Sequence, residues 1–142
     1  MKFKKVRDVE TPLLASEGAA GYDLFLPNDA EKVVVHPKQS YTIFTGIQVE
    51  IPKFHVGFLL PRSSTGCKGM VLQNTLGVID SDFRNELQAR IRCWSETEDL
   101  VINPGERFAQ LVVVPCLTTS VELVEELSST ERGEGGFGST GK

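Results

Sequence analysis

Short apolar segments recur along the chain, and residues typical of turns separate them. Between residues 86 and 94, apolar and polar side chains alternate. The apolar ones are Leu87, Ala89, Ile91 and Cys93. A period of two predicts a strand with one buried and one solvated face. Residues 108–114 are almost all apolar and end at Pro115, which predicts a strand inside a sheet.

The remaining apolar segments are shorter, and most of them end close to proline or glycine. They cover residues 33–35, 41–44, 47–51, 56–60, 70–72, 101–102 and 121–127. About ten short strands at this spacing predict an all-β fold, a jelly-roll-like β-barrel. The high content of valine and isoleucine relative to alanine favours the same class. Helical patterns are weak, and we expect at most one short helix, around residues 63–67.

Length and composition narrow the classes of protein further. A chain of 142 residues suits one domain, and 40% hydrophobic residues exclude a wholly disordered chain. The net charge of −4 is not the basic surplus of proteins that bind long nucleic acids. No apolar segment approaches the ~18 residues of a membrane span, and no secretory signal is evident. We therefore expect a soluble intracellular protein of the cytoplasm or nucleus, with no stable nucleic-acid or membrane partner.

The cysteine and histidine residues do not form a metal or protease motif. Cys67, Cys93 and Cys116 are widely spaced and odd in number, so we expect buried thiols in a reducing compartment. No zinc-binding motif is present, and neither His36 nor His55 belongs to a serine-hydrolase motif.

The C-terminal segment differs in composition from the rest of the chain. Residues 128–142 contain five glycines and one large apolar residue, Phe137. We expect a β domain over residues 1–127 and a flexible arm over residues 128–142 that orders on a ligand. The segment from Gly136 onward fits GxGxxG and part of a phosphate-binding loop. Both motifs need a preceding strand and a following helix, which we do not expect here.

Two polar clusters are candidates for binding and chemistry. Arg62, Ser63 and Ser64 directly follow a predicted strand and could donate hydrogen bonds to an anion. Asp80 ends the apolar run that begins at Gly77, and its carboxylate could polarise a water molecule. Each cluster alone is equally compatible with an ordinary polar loop.

Taken together, five motifs give the chain a family resemblance. They cover residues 20–24, 61–69, 74–86, 104–111 and 132–141. In this order, the motifs resemble those of the homotrimeric dUTP pyrophosphatases (dUTPases) over nearly the whole chain. The resemblance implies a jelly-roll-like fold and a homotrimer with three active sites at subunit interfaces. It also implies Mg²⁺-assisted hydrolysis of dUTP to dUMP and pyrophosphate, which limits uracil in DNA and supplies dUMP for dTMP synthesis.

The resemblance further implies roles for individual residues. Asp80 would activate the water that attacks the α-phosphorus, and Asp23 would lie near the metal and its waters. The phosphates would be bound by Arg62, Ser63, Ser64 and Gln110. The expected hairpin over residues 74–88 would accept uracil, and its site residues are Asn74, Gly77, Val78, Ile79 and Gln88. Phe83 would lie against the deoxyribose. The arm that closes over the nucleotide would contribute Arg132, Phe137, Gly138, Ser139 and Thr140.

The sequence departs from the family pattern at two positions near Asp80. Phe83 stands where the family usually has tyrosine, which removes a phenol hydrogen bond. Asn85 stands where the family usually has glycine, and asparagine tolerates the positive φ that a glycine position suggests. Two alternatives remain open: a dCTP deaminase-like enzyme of the same fold, and a non-catalytic β module that binds nucleotides or signals.

Overall fold

The computed structural model describes residues 1–136, and nearly all of its regular structure is β. The strands are β1 (Lys2–Lys5), β2 (Leu13–Leu14), β3 (Gly21–Phe25), β4 (Val33–Val35), β5 (Ser40–Glu50), β6 (His55–Pro61), β7 (Met70–Leu72), β8 (Gly77–Ile79), β9 (Glu86–Cys93), β10 (Leu100–Ile102) and β11 (Arg107–Pro115). A five-residue helix, α1 (Ser63–Cys67), follows β6. The all-β prediction and the predicted short helix are both confirmed.

The strands form two larger antiparallel sheets and one small one. The four-stranded sheet has the order β1-β5-β9-β7, the five-stranded sheet has the order β2-β3-β11-β6-β8, and β10 pairs with β4. The core contains residues of all three sheets, including Leu24, Ile91 and Leu100. In β9 the predicted apolar positions are buried, and β11 lies in the middle of its sheet as its apolar sequence predicts.

A glycine joins two predicted strands into one. Segments 41–44 and 47–51 belong largely to the single strand β5, whose register against β9 shifts between Phe44 and Gln48. At this irregularity Gly46 has a φ of 73°, and its amide donates a 2.6 Å hydrogen bond to the Glu86 carboxylate. Positive φ favours glycine, so the residue allows the strand to continue through the bulge.

The predicted strand over residues 121–127 is wrong. After β11 ends at Pro115, no strand follows among the residues described up to 136. Val121, Leu123 and Leu127 are 95%, 98% and 88% exposed. An apolar pattern forms a strand only when a sheet edge supplies hydrogen-bond partners, and this segment has none within its own chain. The division into a domain over 1–127 and an arm over 128–142 stays a prediction.

The cysteine prediction is correct in part. All three cysteines are free, but only Cys93 is buried, whereas Cys116 is half-buried and Cys67 is exposed at the end of α1. Cys93 lies on the inward face of β9, which explains its burial. Among the described residues, no helix is long and apolar enough to cross a membrane.

Candidate active site

The loop that carries Arg62, Ser63 and Ser64 is fastened to β11. The buried Thr65 hydroxyl lies 2.9 Å from the Arg62 carbonyl oxygen and 2.8 Å from that of Phe108, and it can donate to either. The Gln110 side chain donates a 3.1 Å hydrogen bond from Nε2 to the Pro61 carbonyl oxygen. These contacts fix the backbone of the loop while Ser63 and Ser64 stay exposed in the first turn of α1.

Asp23 joins two arginines beside this loop. Its Oδ1 is 2.8 Å from Arg62 Nε, and its Oδ2 is 3.1 Å from Arg107 Nη1. Asp23 is only 5% exposed, so the two guanidinium groups compensate the cost of removing the carboxylate from water. The trio carries a net formal charge of about +1, which suits an anionic ligand.

Among the predicted phosphate ligands, the structure thus brings Arg62, Ser63, Ser64 and Gln110 together, with Asp23 beside them. Gln110 lies on β11 directly opposite Asp23 on β3 and Leu60 on β6. Their role as phosphate ligands stays a prediction, and β3 itself was not among the predicted strands. The resulting cluster offers guanidinium, hydroxyl and amide donors on one rigid sheet end, as binding of a phosphate chain requires.

Asp80 lies elsewhere in the same chain. Ile79 pairs with Gly57, so Asp80 follows β8 next to Val56, at the beginning of β6. Arg62 follows the other end of β6. Six residues of extended strand separate these two levels by about 20 Å. The exposed Asp80 borders an open depression of ≈ 630 Å³ together with His55 and Cys116.

The expected hairpin over residues 74–88 is wrong in its pairing. Strand β8 belongs to the five-stranded sheet, whereas β9 belongs to the four-stranded sheet. The partner of β9 on this side is β7, and the Gln73 amide continues the pairing with a 2.8 Å bond to the Arg90 carbonyl oxygen. Residues 74–85 therefore cross from one sheet to the other and back. Gly77 permits the crossing, because a Cβ there would lie 2.9 Å from Leu59 Cβ.

Three of the predicted uracil-site residues border one small cavity. Asn74, Gly77 and Gln88 line a space of ≈ 260 Å³ between the two sheets, whereas Val78 and Ile79 are outside this lining. Thr75 in the same turn has a φ of 66°. A β-branched residue rarely adopts this conformation, so the turn stores local strain beside the cavity.

The loop after Asp80 is held by its own arginine. Arg84 Nη1 donates 2.8 Å hydrogen bonds to the carbonyl oxygens of Ser81 and Phe83, and Phe83 is 37% exposed. Asn85 is not among the residues with positive φ, and its Oδ1 accepts a 2.8 Å bond from the Glu86 amide. The backbone at Asn85 therefore does not adopt the positive φ that a glycine position suggests, and asparagine fits this position without backbone strain.

The predicted arm lies only partly within the described residues. Arg132 is exposed, and its Nε donates a 3.1 Å hydrogen bond to the Gly135 carbonyl oxygen. Phe137, Gly138, Ser139 and Thr140 lie outside the described residues.

Sequence reasoning assigned no role to the ion pair between Lys68 and Glu106. Lys68 Nζ lies 2.7 Å from Glu106 Oε1, which links the end of α1 to the turn before β11. Burial alone would raise the pKa of Glu106, but hydrogen bonds from Lys68 and Asn103 outweigh it and hold the pKa below its usual value. The two residues are 38 positions apart, so no local pattern could have paired them.

The donor set near Asp23 limits how the protein can hold a metal ion. Among residues 1–136, no group of three or more His, Cys, Asp or Glu side chains could bind one. Both Asp23 oxygens are already bonded to guanidinium groups. The protein residues therefore fit Mg²⁺ only where a ligand supplies most of the oxygens, as substrate phosphates do.

Comparisons with known proteins identify the family. The family model for dUTPase matches residues 7–141. The chain belongs to the dUTPase family. A deoxyuridine 5'-triphosphate nucleotidohydrolase from Legionella pneumophila (strain Paris) is 44% identical over 138 residues, which cover 94% of this chain and 88% of the relative.

Solved dUTPase structures resemble the fold described above. The dUTPase of Staphylococcus bacteriophage 80alpha with dUpNHpp is 32% identical, with a TM-score of 0.88, and the match covers 99% of this chain and 98% of that chain. A dUTPase variant from phage phi11 of S. aureus, which coordinates a structural Mg(II) ion, is 28% identical with a TM-score of 0.77. That match covers 88% of this chain and 96% of that one. The predicted family and the jelly-roll-like fold are both confirmed.

Proposed function

We propose that this chain hydrolyses dUTP to dUMP and pyrophosphate. The proposal rests on the match to the dUTPase family over residues 7–141. This range includes every residue of the candidate site. Hydrolysis of dUTP limits the incorporation of uracil into DNA and supplies dUMP for dTMP synthesis. Because nucleoside triphosphates are made and used inside cells, we infer an intracellular site of action.

Phosphate recognition is assigned to the cluster on the rigid sheet end. Arg62 supplies a charged planar donor, Ser63 and Ser64 supply hydroxyls, and Gln110 supplies an amide already oriented by Pro61. Positioned donors and positive charge dominate the catalysis of phosphoryl chemistry, and a covalent nucleophile is not needed. The contacts between the loop and β11 keep these donors in position before the substrate binds.

Asp80 is assigned as the base that orients and deprotonates the attacking water. Its carboxylate is exposed at the edge of an open depression, so water reaches it freely. A carboxylate positioned near a water and an electrophilic phosphorus contributes about 10²–10⁴-fold as a general base.

Uracil is assigned to the cavity bordered by Asn74, Gly77 and Gln88, with Val78 and Ile79 contributing backbone groups next to it. We expect the shape of this pocket to exclude the thymine methyl group sterically, since apolar contacts alone would discriminate by only ~1–3 kcal/mol. Cytosine exchanges donor and acceptor groups, which would leave fixed backbone partners unpaired. Phe83 is assigned to the deoxyribose, where its ring would block a 2′-hydroxyl.

Mg²⁺ is proposed to bind mainly through the triphosphate oxygens. The bound ion would neutralise those oxygens and polarise the scissile bond. Asp23 is assigned a contact through metal-bound water, because both of its oxygens already accept bonds from arginines. Arg62 and Ser64 keep the phosphates in place on the protein side.

The C-terminal arm is proposed to close over the bound nucleotide. Phe137 would stack on uracil, Arg132, Ser139 and Thr140 would meet the terminal phosphate, and Gly138 would let the backbone approach closely. Stacking and charge-assisted bonds are the interactions that can offset the entropy of ordering a glycine-rich segment.

We further propose a homotrimer whose active sites are shared between subunits. Asp80 lies about 20 Å from the level of Arg62, whereas both must reach one triphosphate. A second copy of the chain is therefore needed to complete each site. In that assembly, the fully exposed Val121 and Leu123 would find the partner surface that they lack within one chain.

The outer face of the five-stranded sheet supports self-association. Along β6 and β11, the residues that alternate with the core positions are apolar but only half-buried, apart from Arg107 and Gln110 near the start of β11. They are Val56, Phe58, Leu60, Val112 and Val114. The neighbouring Val78 on β8 is 59% exposed. A contiguous apolar sheet face of this kind is typical of a surface that another subunit covers.

Pyrophosphate release tests the proposed activity. With Mg²⁺ present, dUTP should release pyrophosphate much faster than dCTP, dTTP or UTP. Ammonia release from dCTP would support a deaminase, and tight binding of dUpNHpp without turnover of dUTP would support a non-catalytic nucleotide-binding module. A mass measurement in solution tests the assembly, and a monomer that hydrolyses dUTP at full rate would contradict the shared site.

A further inference from the structure

We propose that Arg107 is a positioning residue, which acts through Asp23 to hold Arg62 in the orientation that binds the triphosphate. The inference rests on the proposed function, because it assigns a role to a residue that supports the same site. Arg107 itself is not assigned to the substrate. It is part of the trio in which the Asp23 carboxylate joins two guanidinium groups.

The geometry of the trio determines which donors of Arg62 stay available. Asp23 Oδ1 engages the Nε edge of the Arg62 guanidinium at 2.8 Å. Arg62 Nη1 lies 3.5 Å from Ser64 Oγ, on the side of the exposed serines. Nη1 of Arg62 is therefore directed towards the candidate phosphate ligand Ser64, and this direction depends on where the Asp23 carboxylate is held.

Arg107 reaches Asp23 because of a bulge at the start of β11. Gln110 pairs with Asp23 and Ala109 pairs with Leu24, so a regular ladder would place Arg107 opposite Leu26. The register instead shifts between Arg107 and Ala109, and Arg107 pairs with Phe25. A strand exposes alternate residues on opposite faces, so the shift moves Arg107 from the face of Ala109 to the face of Asp23.

The bulge therefore has a chemical consequence. It leaves Phe108 fully buried and directs Arg107 onto the same face as Asp23 and Gln110. Bulges are frequent next to active sites, where they redirect a side chain. Arg107 then bonds the second oxygen of Asp23 at 3.1 Å, so the carboxylate is held from both sides.

Charge gives Arg107 a second effect. With both arginines in place, the trio has a net formal charge of about +1, whereas Asp23 and Arg62 alone would be neutral. Without Arg107, the buried Asp23 carboxylate would also lose one of its two compensating partners, which destabilises its present position. Loss of Arg107 should therefore weaken binding of a triphosphate specifically, while binding of an uncharged nucleoside should change little.

Binding measurements on Arg107→Gln and Arg107→Lys test the proposal. The two probes are dUpNHpp with Mg²⁺ and deoxyuridine, which has no phosphate. We expect Arg107→Gln to weaken dUpNHpp binding by ~10-fold or more and deoxyuridine binding by less than ~2-fold. Arg107→Lys keeps the charge and should recover part of the loss. Lys68→Gln removes one positive charge from the same region without touching Asp23, so its effect should be smaller.

A double-mutant cycle separates positioning from general electrostatics. If Arg107 acts mainly through Arg62, then the loss in the double variant should be clearly smaller than the sum of the losses in Arg107→Gln and Arg62→Gln. Additive losses, equal losses for both probes, or an equal effect of Lys68→Gln would overturn the inference. If the Arg107→Gln variant does not fold, the same cycle with Arg107→Lys in its place tests the inference. Failure of the parent protein to hydrolyse dUTP would instead refute the proposed function.

Discussion

Asp80 and Arg62 lie at opposite ends of strand β6. Asp80 follows Ile79, which pairs with Gly57, whereas Arg62 directly follows Pro61 at the end of β6. The strand rises by ~3.3 Å per residue, so about 20 Å separates the proposed base from the proposed phosphate ligand. A water attacking a bound phosphate must lie within a few ångströms of both residues. Their separation within one chain therefore suggests a test of whether the active site is shared between subunits.

Two defective variants should restore activity when they assemble together. Asp80→Asn and Arg62→Gln should each be strongly impaired alone. If each site takes Asp80 from one subunit and Arg62 from another, every mixed trimer contains roughly one intact site in three. The variants should be co-expressed with different tags and purified through both, and pyrophosphate release should then be measured. Mixed assemblies as inactive as the separate variants would show that one chain supplies both residues.

Asp80→Asn by itself tests the role of the carboxylate. The amide keeps the shape but cannot accept a proton from water. Turnover of dUTP should therefore fall by ~10²–10⁴-fold while affinity for dUpNHpp is largely kept. Asp82→Asn is a matched control, since Asp82 lies in the same exposed loop. Near-normal turnover of Asp80→Asn would refute water activation by this residue.

Phe83 should determine the preference for deoxyribose. Removal of the ring in Phe83→Ala would open space for a 2′-hydroxyl, so the rate on UTP relative to dUTP should rise. Phe83→Tyr keeps the ring and should keep the discrimination. The ratio of kcat/KM for the two nucleotides measures the effect. Equal discrimination by the alanine variant and the parent would assign the selection to another residue.

Deletion of residues 132–142 should separate folding from catalysis. The core comprises residues from Val9 to Leu111, so the truncated chain should keep its melting temperature and its oligomeric state. Catalysis should be mostly lost, because the proposed closure of the arm over the nucleotide would exclude competing water. Phe137→Trp should report closure as a fluorescence change with dUpNHpp and little change with dUMP. A truncated protein with the parental rate would show that the arm has no catalytic role.

Glu106 should make a pH-dependent contribution to stability. Its pKa is lowered in the folded protein, because Lys68 and Asn103 outweigh the effect of burial. A lowered folded pKa stabilises the fold above the unfolded pKa of glutamate, and this contribution is lost as the pH falls through the folded pKa. Glu106→Gln should therefore lower Tm at neutral pH, and the difference from the parent should shrink on acidification. A Tm difference that stays constant with pH would contradict this assignment.

The local pattern of the sequence determined most of the secondary structure near the core. The alternation over residues 86–94 predicted β9, and the apolar run before Pro115 predicted β11, because each pattern depends on neighbouring residues alone. The polar residues after β6 predicted an anion-binding loop for the same reason. The apolar pattern of residues 121–127 also predicted a strand. This segment forms none, because it has no strand partner within the described part of the chain.

Only the tertiary structure decided how the site residues are distributed. Asp23 and Arg107 are 84 positions apart, and their contact depends on a register shift in β11 that no local pattern reveals. The same holds for β8, which pairs with β6 although β9 follows it closely in sequence. Strand pairing is chosen by the packing of the whole core and by hydrogen bonds between distant segments. The sequence therefore supplied the chemical groups of the candidate site, whereas the sheet order placed Asp80 and Arg62 at opposite ends of β6.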